Sequence, residues 1–79
     1  MSRLRFLAEA QEELRAAARF YEAEQPGLGF ALIREVRRVL AIIADKPLAA
    51  RIERNEIRVR SLSRFPYRIY FRASSDEVL

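Results

Sequence analysis

The sequence contains no cysteine and no histidine. Without cysteine there are no disulfides and no thiolate metal sites. Without histidine the commonest metal ligand and the commonest general base are both gone. Glycine and proline are scarce, two and three residues in 79, which excludes a collagen-like or low-complexity chain. No apolar run approaches the ~20 residues of a membrane-spanning helix. The opening "MSRLRFLAEAQEEL" turns acidic too early for a signal or transit peptide, so the expected location is the cytoplasm. Lysine is nearly missing as well; Lys46 is the single one.

What remains is mostly apolar residues, with arginine as the main cation and eleven acidic residues. The hydrophobic fraction is 51%, enough for a packed fold and against a disordered tail. A chain of 79 residues is expected to form one domain, 1–79. Such a domain buries about 60% of its unfolded surface and has a small core, so support from a partner chain is expected. The net charge is +4, unevenly spread. Met1 to Glu24 carries four arginines against five glutamates, whereas Arg51 to Arg72 carries seven against two. A positive field on the C-terminal part favours an anionic partner, either nucleic acid or an acidic protein segment. Arginine adds a planar fork suited to phosphate and carboxylate.

Hydrophobic period divides the chain. "RLRFL", Arg3 to Leu7, alternates as a short strand. From Ala8 the period becomes helical: Ala10, Leu14, Ala17 and Tyr21 recur, and Glu9, Glu12 and Glu13 suit the positive end of a helix dipole. The spacing predicts a helix from about Ala8 to Glu24. "EQPGLGF" breaks it. A second helix is predicted from about Leu28 to Asp45, with two overlapping stripes. Phe30, Ile33, Val36, Leu40 and Ile43 form one; Leu32, Val36, Val39 and Ile43 form the other. Pro47 stops it, and Lys46 sits well at its C-terminal end. The short connector makes the pair an antiparallel helical hairpin.

Period two then returns. Ile57 and Val59 alternate with Arg58 and Arg60, "SLSRFP" connects, and Tyr67 to Arg72 forms the next strand. "SSD" reads as a turn and "EVL" as the stub of a further strand. The predicted architecture is α+β: an N-terminal strand, then an antiparallel helical hairpin packed on one face of a small, mainly antiparallel sheet. The expected core is Leu4, Phe6, Leu14, Tyr21, Phe30, Ile33, Val36, Leu40, Ile43, Ile57, Val59, Tyr67, Ile69 and Phe71.

If those strand residues face the helices, their neighbours face away. The neighbours are Arg3, Arg5, Arg58, Arg60, Arg68, Tyr70 and Arg72. Like charges across strands are destabilising, so a cationic face of this kind calls for a neutralising partner. Arg5, Arg58, Arg60, Arg68, Tyr70 and Arg72 are therefore the candidate partner-binding residues. They suit a phosphate backbone with Tyr70 as a stacking platform, or an acidic protein segment. Arginine as a soluble filler on an exposed face is the plainer reading.

Other constellations carry less. Glu9, Glu12 and Glu13 are a helix N-terminal cluster before they are paired catalytic carboxylates. "PGLG" is too short for a phosphate loop. The serines have no histidine to activate them. No cofactor or metal is expected.

The sequence "EAQEELRAAARFYEAEQPGLGFALIREVRRVLAIIADKP", followed by "RFPYRIYF" and "DEV", resembles the RelE/ParE superfamily of type II toxin–antitoxin toxins, and the ParE branch more closely. Where that family's helical hairpin has a tyrosine pair, Phe20 stands first and Tyr21 second. The resemblance spans nearly the whole chain. It implies a toxin neutralised by a cognate antitoxin that lies over the helical hairpin and sheet edge. In the ParE branch the implied target is DNA gyrase, trapped on cleaved DNA.

The RelE branch implies ribosome-dependent cleavage of messenger RNA, with Arg58, Arg60 and Arg68 at its phosphate-holding positions. That activity uses a C-terminal tyrosine or histidine with no counterpart here, so the expectation is a toxin that is not an enzyme. Family members continue past "DEVL". A short last strand leaves an open sheet edge for strand addition by the antitoxin or a second copy, as a homodimer. It also allows an inactive remnant that only binds antitoxin.

Overall fold

The structure, a computed structural model, describes residues 8–72 in full and the backbone of residues 3–4 and 77–78. The chain runs through β1 (Arg3–Leu4), α1 (Ala8–Glu24), α2 (Leu28–Asp45), β2 (Ile52–Arg54), β3 (Ile57–Ser61), β4 (Arg68–Arg72) and β5 (Glu77–Val78). Strands β2, β3 and β4 form an antiparallel sheet in that order, and β1 pairs in parallel with β5. The α+β architecture with a helical hairpin is as expected. The side chains of Leu4, Phe6 and Arg5 lie outside the described residues.

Both helices form where the apolar period predicts. α1 turns Leu14, Ala17, Ala18 and Tyr21 to the core, and small residues on that face let α2 approach closely. α2 buries Leu32, Val36, Val39 and Ile43, the second of its two stripes. Leu32 and Ile43 are almost fully buried, each contributing about 1.5–3 kcal/mol of apolar transfer energy. Phe30 belongs to the other stripe and was expected in the core, yet it is 69% exposed. The small sheet and α1 cover one side of α2, and that side is the Leu32 stripe. Ile33 and Leu40 pack at its margin.

The two glycines of "PGLG" have separate reasons. Gly27 precedes α2 with φ 91°, a left-handed conformation that side chains resist. Gly29 sits on α1: a Cβ there would stand 2.5 Å from the carbonyl oxygen of Ala18. Glu22 completes the connection, its carboxylate accepting the N–H of Gly27 at 2.9 Å and of Gly29 at 3.0 Å. A carboxylate from α1 thus satisfies free donors at the positive end of α2.

The sheet contains a hairpin that the apolar period does not separate. β2 and β3 are joined by Asn55 and Glu56, both at positive φ, 48° and 65°. Two left-handed residues in a two-residue loop are the geometry of a type I′ hairpin. The β3–β4 connection is not a plain loop either. Leu62 and Phe65 turn inward and join the core, and the N–H of Leu62 donates to the carbonyl of Tyr67 at 3.0 Å.

Candidate functional site: the two faces of the sheet

The register of β3 on β4 decides which side chains share a face. Ile57 pairs with Arg72, Arg58 with Phe71, Val59 with Tyr70, Arg60 with Ile69 and Ser61 with Arg68. Cross-strand partners point the same way. Arg58 and Arg60 therefore share a face with Phe71 and Ile69, which pack into the helix-side core. Arg68, Tyr70 and Arg72 share the opposite face with Ile57, Val59 and Ser61. The expectation of one continuous arginine face is corrected by this register. Within each strand the alternation is right, but the two strands are matched odd to even. Ile57 and Val59, expected beneath the helices, lie on the outer face; Val59 is nonetheless only 4% exposed.

Of the two half-buried arginines, Arg58 is engaged inside the fold. Arg58 Nη1 donates to the carbonyls of Ala50 at 2.6 Å and Leu48 at 3.2 Å, holding the segment that follows α2 against β3. Arg60 Nε is buried and has no hydrogen-bond partner among the described residues. On the outer face, Arg68, Tyr70 and Arg72 are all exposed, and Tyr70 keeps 53% of its surface open. Arg54 pairs with Ile57 and extends the row Arg54–Ile57–Arg72 across all three strands. The paired rows on this face contain no carboxylate, and neither Arg68 nor Arg72 makes an ion pair among the described residues. Of the candidate partner-binding residues, the structure brings together Arg68, Tyr70 and Arg72. It sets Arg58 and Arg60 apart from them, and Arg5 lies outside the described residues.

One polar group was not anticipated. Glu35 is 8% exposed on α2. It accepts from Arg38 Nε at 3.1 Å and Nη2 at 2.8 Å, and from Ser63 N at 2.9 Å and Oγ at 2.6 Å. The Arg38 guanidinium and then the Ser63 donors pull its carboxyl down from the usual 4.5 to about 2. This ties the β3–β4 connection to α2 and so orients the hairpin that carries the exposed arginines. The sequence signal was its place between Leu32 and Val39 on the buried stripe of α2, with Arg38 at i+3.

A second surface lies on the helices. Ala18, Arg19, Glu22, Gly29, Phe30 and Ile33 line a shallow, mainly apolar groove of about 240 Å³ between α1 and α2. Phe20, Phe65 and Tyr67 each meet Tyr21 edge to face, with centroids 5.4, 5.2 and 6.2 Å away, linking α1 to the β3–β4 connection. The neighbouring Tyr67 hydroxyl, then burial, raises the Tyr21 hydroxyl above the ordinary tyrosine range. Among the described residues no group of three acidic side chains is placed to hold a metal, and no helix is long and apolar enough to cross a membrane.

Comparison with known proteins agrees with the motif resemblance. No curated protein and no solved structure matches. Residues 4–79 match the family described as ParE toxin of type II toxin-antitoxin system, parDE. That match takes in both helices, the "PGLG" connection and the arginine-bearing hairpin, so this chain belongs to the ParE toxin family of type II toxin–antitoxin systems.

Proposed function

We propose that this chain is the toxin of a toxin–antitoxin pair that inhibits DNA gyrase by binding rather than by covalent catalysis, and that it acts in the cytoplasm. The observation that carries this reading is the family match over residues 4–79, which includes the strand bearing the exposed Arg68, Tyr70 and Arg72. These three residues are its working surface. Under this reading Arg58 serves the fold, since its guanidinium is spent on the Leu48 and Ala50 carbonyls.

The antitoxin seats an acidic, apolar segment in the groove between α1 and α2. Phe30 and Ile33 supply the apolar wall, and Arg19 lines the same groove. Arg34 and Arg37 stand one helical turn beyond Phe30 and Ile33, exposed and cationic. Neutralisation by such a segment follows from charge complementarity. The ribonuclease reading needs Arg58, Arg60 and Arg68 in one site, and they lie on two faces of the sheet; this geometry favours gyrase inhibition without RNA cleavage.

The test is purified chain with gyrase and supercoiled plasmid. Accumulating cleaved DNA, suppressed by the cognate antitoxin, is the expected result. Unaltered supercoiling with no cleaved product at large protein excess overturns the reading.

A further inference from the structure

The exposed outer face of β3 and β4 has a composition suited to an anionic partner with flat rings. It presents Arg68, Tyr70 and Arg72 at alternate positions of one strand, with Arg54 on the same face at the far side of the sheet. Tyr70 pairs across the strands with Val59, which is already buried. The exposed side chains of the paired rows on this face are guanidinium groups, a phenol and the Ser61 hydroxyl, with no carboxylate among them. The apolar groove lies elsewhere, between the helices. What this face offers is a flat, half-exposed phenol ring between guanidinium groups.

Alternate residues of a strand are about 6.6–6.8 Å apart along its axis. Arg68 and Arg72 are two such steps apart, roughly 13 Å, so the phosphates they hold span two nucleotides of an extended single strand, with a base on the ring between them. Stacking on an exposed aromatic requires an unstacked base, which a duplex does not provide.

We propose that the Arg68–Tyr70–Arg72 face binds a segment of single-stranded nucleic acid, the arginines holding phosphates and Tyr70 stacking on a base. The inference rests on the reading of this face as the working surface, and it names what that surface touches. For a toxin that traps an enzyme on opened DNA, the contact would add a direct hold on the nucleic acid itself.

The experiment is fluorescence anisotropy of the full chain, without gyrase, on a short mixed-sequence oligonucleotide. It is run as single-stranded DNA, single-stranded RNA and duplex over a salt series. Either single strand is expected to bind more tightly than the duplex; the stronger single-stranded arm identifies the source. Arg68→Ala and Arg72→Ala should each lower the salt slope by about 0.7. Tyr70→Ala should weaken binding about tenfold with the slope unchanged, and Tyr70→Phe should retain it.

The double variant Arg15→Ala/Lys46→Ala, at exposed positions on α1 and at the end of α2, controls for bulk charge and should bind as the parent does. No binding at low salt overturns the proposal. So does equal loss in this helix control, or a duplex preference indifferent to Tyr70→Ala. Oligonucleotide binding without gyrase inhibition would remove the preceding gyrase reading alone. Gyrase inhibition without oligonucleotide binding would remove this one alone.

Discussion

Glu35 shows how much one side chain can organise. It is a buried carboxylate whose donors come from α2 itself and from a residue 28 positions later. Burying a charge is costly unless its lone pairs are filled, and here four donors fill them. Its folded pKa, about 2, lies below the usual 4.5. The charged form is therefore the one that folding favours. The stabilisation is complete above the unfolded value and is lost as pH falls from about 4.5 towards 2. Glu35→Gln should lower the melting temperature by several degrees at neutral pH, and the gap to the parent should close on acidification through that window. A gap independent of pH would contradict the ionised assignment. Its place on the apolar stripe of α2 and its Arg38 neighbour are legible in the local sequence; its distant partner Ser63 is not, because the fold brings it in.

The connections between elements depend on backbone geometry that three specific residues meet or strain against. Gly29→Ala would force α1 and α2 apart, since its Cβ would meet the Ala18 backbone rather than a pliable side chain. The expected loss is about 1–3 kcal/mol in denaturant unfolding. Gly27→Ala meets open space and should cost about 1–2 kcal/mol, through the left-handed φ alone. At the β2–β3 turn the sign reverses. Glu56 has no conformational right to φ 65°, so Glu56→Gly should stabilise the hairpin by about 0.5–1 kcal/mol, read as a higher urea midpoint.

These elements also show where sequence stops being informative. Helix limits were legible because the apolar period, the "PGLG" break and Pro47 all agree. Alternation within β3 and β4 was legible too. Their mutual register was not, because Leu62 and Phe65 bury themselves in the connection and set an odd-to-even pairing that no local pattern encodes. β2 escaped notice for a similar reason: three residues with one apolar side chain carry almost no period, and its turn lacks glycine.

At the scale of the whole molecule, the fold separates two surfaces. The helical hairpin offers an apolar groove lined by Arg19, Phe30 and Ile33, where the proposed function seats the antitoxin segment. The outer sheet face offers exposed guanidinium groups and a tyrosine, with Arg58 and Arg60 withdrawn to the other side, where Arg58 holds the Ala50 carbonyl. Phe30, misplaced in the expected core, makes sense as part of the first surface. Phe30→Ser should accordingly leave the isolated chain folded while weakening antitoxin binding tenfold or more, about 1.4 kcal/mol or greater, as measured by calorimetry. The central claim is that harm to the cell is done by the sheet face. Its most direct measurement is growth on induction of the parent chain beside the triple variant Arg68→Ser/Tyr70→Ser/Arg72→Ser, at matched soluble levels and with antitoxin absent. The account predicts arrest by the parent and normal growth with the variant; equal arrest by both would contradict it.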